Sequence, residues 1–285
     1  MILEARKISK SYGSLEVLKN VTLECHKGRI YGLIGANGTG KTTLFRILLG
    51  LIKADGGSIE INSQGIKPIG GIIEKPALYG YLSAYGNLKV FAQIQGLNLT
   101  KELYGKSMQQ VGLSTNRTDA VKNYSMGMKQ RLGLAIALLN NPDCIVLDEP
   151  FSGLDPMGII ALHELIKMLS SQNEITIIIS SHIVSELTDL CDTLYVLNEG
   201  EIIKKGPSAE LLNENVTTYK IVGKYLEMSE VLQSINAVFS NNSAFVSPET
   251  ISISKILQKL IEEGQEVTAC IPQTDLKALF GGRKI

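Results

Sequence analysis

The apolar run Gly28-Arg29-Ile30-Tyr31-Gly32-Leu33-Ile34 leads without a break into Gly35-Ala36-Asn37-Gly38-Thr39-Gly40-Lys41-Thr42-Thr43. No other juncture limits the chain's fold so strongly. A strand that feeds a glycine-rich turn of the form G-x-x-x-x-G-K-T and then a helix aims several backbone N–H groups at one point, where an anion can sit. Gly35, Gly38 and Gly40 allow the close turn, with Asn37 between them, and Lys41 offers a point positive charge to the outer phosphates. The hydroxyl of Thr42 is suited to a magnesium ion, with Thr43 beside it. The implied architecture is α/β with a parallel sheet, and the implied ligand is a nucleoside triphosphate with Mg²⁺.

A second segment completes that chemistry. Cys144-Ile145-Val146-Leu147 is a short apolar run ending in Asp148-Glu149. In a doubly wound sheet such a strand presents its final acids at the carboxyl edge, beside the phosphate loop. Asp148 is then a candidate metal ligand with Thr42, and Glu149 a candidate base for the attacking water. Ile175-Thr176-Ile177-Ile178-Ile179-Ser180-Ser181-His182 is another continuous apolar strand closed by an imidazole. His182 is placed either to hydrogen-bond a γ-phosphate or its attacking water, or to cap the helix that follows. His26 and His163 lack such a context and are expected at the surface.

The remaining pattern supplies an order of elements. Residues 2–8 and 16–24 read as antiparallel edge strands joined by a turn at 9–14, and residues 58–62 as a further short strand. From about 82 to 140 strand alternation fades and three helix-length segments follow, at 84–95, 100–111 and 128–139. They read as a helical subdomain inserted into the α/β core. Residues 156–169 form a helix with Pro156 near its start, and 193–197 and 201–205 flank Asn198-Glu199-Gly200 as a hairpin. Beyond 208 the nucleotide chemistry stops, and 209–285 is expected to be a small α/β accessory region with a turn at Asn241-Asn242.

Composition excludes several classes. The 28 basic and 28 acidic residues cancel, so no global field draws the chain to nucleic acid, and no nucleic-acid partner is expected. Cys25, Cys144, Cys191 and Cys270 are scattered without metal-ligand spacing and are expected as reduced thiols, most of them buried. No signal peptide is expected at Met1-Ile2-Leu3-Glu4, and no window is apolar enough to span a bilayer.

Taken together, residues 1 to about 207 resemble the ATP-binding subunit of an ABC transporter. The segment Tyr124-Ser125-Met126-Gly127-Met128-Lys129-Gln130-Arg131 resembles that family's signature, and Ser152-Gly153-Leu154-Asp155 its D-loop. By resemblance, Ser125 and Gly127 contact the γ-phosphate held by a second subunit, and Asp155 couples the two sites. Tyr12 stacks on adenine, His182 is the switch histidine, and Lys41, Glu149 and His182 carry hydrolysis. Glu74, in Ile72-Ile73-Glu74-Lys75-Pro76, stands where the family usually has glutamine, and is expected near the nucleotide and its Mg²⁺. Glu74, Met126 and Met128 resemble the branch that exports or confers immunity to bacitracin and lantibiotic-type peptides.

The resemblance implies a P-loop ATPase core with an antiparallel β subdomain (residues 1–208), the inserted helical subdomain, and an accessory tail. It further implies ATP and Mg²⁺, a paired second ATP-binding subunit, identical or closely related, and a membrane permease at the cytoplasmic face of the membrane. Leu78, Tyr79, Tyr81, Leu82 and Tyr85 are the expected permease contacts, some of them core instead. Export of lipid, polysaccharide, sodium or drug stays open as an alternative, as does a non-transport clamp ATPase.

Overall fold

The computed structural model describes residues 1–214, 216–247, 251–274 and Leu279. Two compact units emerge, Met1–Ser208 and Ala209–Ile285.

The first unit begins with β1 (Leu3–Tyr12) and β2 (Leu15–Cys25), followed by β3 (Ile30–Ile34) and α1 (Lys41–Leu48). Next come β4 (Gly56–Ile61), β5 (Ile69–Ile72), α2 (Ala84–Ile94), α3 (Lys101–Gln110) and α4 (Met126–Ala137). The unit closes with β6 (Cys144–Asp148), α5 (Pro156–Asn173), β7 (Thr176–Ser181), α6 (Val184–Thr188), β8 (Thr193–Asn198) and β9 (Glu201–Pro207). Strands β1, β2 and β4 form their own antiparallel sheet in the order β2-β1-β4, rather than edges of the parallel one. The turn expected at 9–14 shrinks to Gly13-Ser14. Register shifts along β1, with Lys7 at φ 50°, let the strand run on to Tyr12.

The six-stranded sheet runs β5-β6-β7-β3-β8-β9, parallel except for the hairpin return of β9. Every residue of β3, β6 and β7 is buried, as continuous apolar runs in a doubly covered sheet require. Helix α1 lies between the two sheets. Its Leu44, Phe45, Ile47 and Leu48 share one core with Leu3, Ile8, Leu18 and Leu23 on one side and Leu33, Val146 and Ile178 on the other. Truncating the fully buried Phe45 to alanine would cost about 3–5 kcal/mol. The sheets are also pinned by Tyr195, whose hydroxyl accepts from Glu24 N (3.1 Å) and donates to Glu24 O (2.9 Å).

One strand escapes the sequence reading. β5 is Ile-Gly-Gly-Ile, a composition poor in strand formers. A Cβ on Gly70 would lie 2.3 Å from the carbonyl oxygen of Ala137, and one on Gly71 2.8 Å from that of Val146. Gly70 is required because the end of α4 rests directly on this strand, and Gly71 because β6 and Leu49 close in on it.

The helical segment owes its boundaries to local capping. Ser83 accepts from Gly86 N (3.1 Å), Thr100 from Leu103 N (3.4 Å) and Ser125 from Met128 N (3.3 Å), each cap worth about 1 kcal/mol. Helix α4 therefore starts at Met126, two residues before the expected start. Asn87, wholly buried, accepts from Tyr79 N and donates to Tyr79 O and Ser83 O, fastening the preceding loop to α2.

The second unit holds α7 (Ser208–Asn213, its first residue closing the first unit), β10 (Val216–Gly223), α8 (Glu230–Ser234), β11 (Val238–Ser240), β12 (Ser243–Val246), α9 (Ile253–Glu262) and β13 (Val267–Thr274). Its antiparallel sheet has the order β11-β12-β10-β13. From β10 onward this is the β-α-β-β-α-β arrangement of a ferredoxin-like module. Ile221, Leu232, Ala244, Val246, Ile256 and Leu260 make its core. The turn expected at Asn241-Asn242 joins β11 to β12, with Asn241 at φ 49°.

Candidate functional site

The phosphate loop leaves the buried end of β3 and enters α1 through Gly40, whose φ of 105° only glycine adopts readily. A side chain there would also meet Leu18 Cδ2 at 2.8 Å and Val17 O at 2.9 Å. Lys41, 6% exposed, turns its ammonium back into the loop. Its Nζ donates to Gly35 O (2.7 Å) and Ala36 O (3.2 Å) and stands 3.3 Å from Glu149 Oε1. The buried ammonium is held by two carbonyl hydrogen bonds and the facing Glu149 carboxylate. A cavity of about 190 Å³ opens here, lined by Asn37, Gly38, Gly40, Lys41, Thr42, Thr43 and Glu149, with Val17 at its wall.

The acids approach from β6. That strand is separated from β3 by β7. Thr42 Oγ1 nevertheless donates to Asp148 Oδ2 at 2.7 Å. Asp148 is 1% exposed, and its other oxygen, Oδ1, accepts from Ser180 Oγ at 2.6 Å. The same Ser180 oxygen accepts the N–H of Glu149 at 3.0 Å. Glu149 sits at φ 48°, a conformation uncommon outside glycine. Its Oε2 is 2.8 Å from His182 Nδ1, while the buried Oε1 faces Lys41 without a hydrogen bond of its own. Lys41, Thr42, Asp148, Glu149 and His182 thus meet at one edge of the sheet, around Gly35.

Among the described residues no group of three or more His, Cys, Asp or Glu could hold a metal by itself. The Thr42 hydroxyl and Asp148 carboxylate are hard oxygen donors, and two such protein ligands suit Mg²⁺, which keeps its remaining positions for water and phosphate.

The other expected site residues lie apart from this cluster. Ser125 is exposed and serves as the cap of α4, with Gly127 in the first helical turn and no atom nearer than 3.8 Å to its missing Cβ. Asp155 caps α5, accepting from Gly158 N at 2.6 Å. Glu74, at φ 58° and 67% exposed, pairs with Arg46 of α1 at 3.1 Å; it does not reach Thr42 or Asp148. Tyr12 is half exposed at the end of β1, with Lys10 Nζ 5.6 Å from its ring centre.

Relatives sharpen the picture. The lantibiotic transport ATP-binding protein SrtF of Streptococcus pyogenes is 43% identical over 220 residues, covering 75% of this chain and 95% of the relative. This chain belongs to the ABC transporter ATP-binding family. The family's ABC transporter model matches residues 18–152. The bacitracin transport ATP-binding protein BcrA of Bacillus licheniformis is 39% identical, over 79% of this chain and 74% of the relative. A solved ATP-binding subunit of an ABC transporter aligns at 28% identity with a TM-score of 0.64, covering 75% of this chain and 93% of its own. The ADP conformation of another ABC cassette aligns at 25% identity with a TM-score of 0.67, covering 75% and 94%. No helix among the described residues of this ABC subunit is long and apolar enough to cross a membrane.

Within the ABC fold, one histidine departs from expectation. His163 is not a surface residue: its ring packs edge-on against Phe151 at 4.7 Å, and burial lowers its pKa. The cysteines are free, with Cys25, Cys144 and Cys191 buried and Cys270 half-buried. Burial pushes the Cys144 thiol up to about 12, so it stays protonated and inert.

Three contributors were invisible in the sequence. Ser180 read only as the approach to His182, yet it stands directly opposite Asp148 in the β6–β7 ladder. Arg46 was not singled out at all, yet it pairs with Glu74. Arg131 donates to Val111 O (2.7 Å) and Ala161 O (3.3 Å), tying the end of α3 to α5. Only cross-strand register could have pointed to the first, and nothing local to the other two.

Proposed function

We propose that this ABC subunit hydrolyses ATP to drive a separate membrane permease that removes antimicrobial peptides of the bacitracin or lantibiotic type from the cell or its membrane. The carrying observation is the Lys41–Glu149–His182 cluster beside Thr42 and Asp148. On nucleotide entry, Lys41 exchanges the carbonyls of Gly35 and Ala36 for phosphate oxygens. Glu149, freed from Lys41 and oriented by His182, accepts a proton from the attacking water. When bound through Thr42 and Asp148, Mg²⁺ supplies charge neutralisation at the phosphate oxygens. Tyr12 takes the adenine face.

Two copies act together. The Ser125–Gly127 end of α4 answers the phosphate held by the other copy, because exposed N–H groups at a helix start attract an anion. Asp155 couples the two sites. Glu74 acts from the loop between the sheet and the helical segment. Near it, a groove of about 370 Å³ is lined by Leu49, Ile73, Pro76, Leu78, Phe91 and Ile136. Together with exposed Tyr79 and Tyr81, that groove is the permease contact. Leu82 and Tyr85 belong to the packing instead, Tyr85 lying edge-on to Tyr104 at 5.2 Å.

The names of SrtF and BcrA support the peptide class. The test is growth inhibition by a panel of bacitracin and lantibiotic peptides in cells carrying the native permease with this chain or its Glu149→Gln form. Protection by the unaltered chain alone is expected. Equal sensitivity with both complexes assembled would overturn the substrate class and leave the ATPase standing.

A further inference from the structure

Ser180 has no part in the reading above, yet its side chain touches both acids of the site. It is wholly buried at the carboxyl end of β7, directly across from Asp148. Its hydroxyl has one proton and gives it to Asp148 Oδ1 (2.6 Å), while its lone pair receives the N–H of Glu149 (3.0 Å).

These bonds have different effects. Occupying Oδ1 leaves Oδ2 as the oxygen turned to Thr42, 2.7 Å away. Without the hydroxyl, a carboxylate that is 1% exposed would carry an unanswered oxygen and would rotate to share its remaining partner. Holding the Glu149 N–H fixes the backbone of a residue at φ 48°, and so the direction in which its carboxylate leaves the strand toward Lys41 and His182. The neighbouring Ser181 has a separate task. Its Oγ donates to Glu186 Oε2 (2.5 Å) and accepts from Ile183 N (2.9 Å), shaping the turn after His182.

We infer that Ser180 is a positioning residue that turns Asp148 toward the metal position and Glu149 toward the water position through a single hydroxyl. This rests on the ATPase reading but assigns a residue that reading does not use. Groups that orient metal ligands from behind typically alter metal affinity or activity by about 10- to 100-fold when removed.

The experiment titrates Mg²⁺ against mant-ATP binding by the full chain and follows ATP turnover in the permease complex. Ser180→Ala should raise the Mg²⁺ half-saturation and lower kcat, each by about 10- to 100-fold. Its metal-free mant-ATP affinity, carried by the loop and Lys41, should stay at the wild-type value. Ser180→Thr, which keeps the hydroxyl, should restore both quantities. If circular dichroism finds Ser180→Ala unfolded, Ser180→Cys replaces it; a thiol is a weak donor and should give an intermediate Mg²⁺ half-saturation. An alanine or cysteine variant with wild-type Mg²⁺ dependence would overturn the inference, as would a threonine variant no better than alanine. A wild-type chain without Mg²⁺-dependent nucleotide binding would instead overturn the ATPase reading, and this inference with it.

Discussion

The starts of α1 and α4 both present helix N–H groups with a glycine close by, Gly40 before the one and Gly127 within the other, but their surroundings differ. At α1 the positive end faces a buried ammonium, two carboxylates, a threonine and a histidine, nearly every polar atom of which has a partner within the same chain. At α4 Ser125 is exposed and bonded to its own helix, Gly127 has Leu154 at 3.8 Å from its missing Cβ, and Arg117, against Met128, is already paired with Asp119. Charge and burial make the first a site that can grip phosphate alone. The second has direction, but its neighbouring cation is already answered by Asp119, so it is better suited to add to a phosphate held elsewhere than to gather one. The proposed pairing of two copies would make use of that inequality.

The largest expected effect is at the self-sufficient end. Lys41→Ala should weaken mant-ATP binding to the isolated chain by about 3 kcal/mol, roughly 100-fold, since it removes a buried charge and strands Glu149. Isothermal titration or fluorescence would read it, and an unchanged affinity would erase the distinction between the two helix starts. At the other end, Gly127→Asp should leave that affinity unaltered while turnover in the permease complex falls about 100-fold, as when a transition-state donor is lost. A parallel fall in the isolated chain's affinity would show that α4 serves its own nucleotide.

Smaller effects refine the same contrast. Ser125→Ala should lower the melting temperature through loss of a helix cap worth about 1 kcal/mol, and should slow turnover beyond what that loss explains. Arg46→Met should change stability by less than about 0.5 kcal/mol, because its pair with Glu74 is solvent-exposed. It should nevertheless shift the coupling of ATP turnover to transport by releasing Glu74. Identical coupling in Arg46→Met and wild type would leave the pair a surface contact only.

The phosphate loop and the strands around it were legible because their signal is local: a buried run, a glycine turn and a lysine within a few residues of one another. The starts of α2, α3 and α5 were legible to within a residue from their periodicity and Pro156, while that of α4, set by the Ser125 cap, was placed two residues late. β5 was not, since its two glycines answer to Ala137 and Val146, residues far along the chain. The role of Ser180 was hidden for a related reason. Nothing in the residues 144–149 says that β7 will lie between them and β3, and that insertion is what brings Ser180 against Asp148. The pairing of Glu74 with Arg46 and the ferredoxin-like order of the second unit are likewise set by tertiary neighbours. The expectation for His163 failed because its helix presents it to Phe151, a partner the spacing does not reveal.

The bare contact between β5 and α4 has a mechanical consequence. Helix α4 is 12 residues long, about 18 Å from end to end. Its last turn rests on Gly70 with no side chain to act as a cushion, and Ser125 rides at the opposite tip. The helix is a rigid arm pivoted on a strand that leads straight to Glu74. A tilt of about 10° at that fulcrum carries Ser125 through about 3 Å, the full reach of a hydrogen bond. A displacement that small at the fulcrum would be enough to make or break a hydrogen bond at the tip.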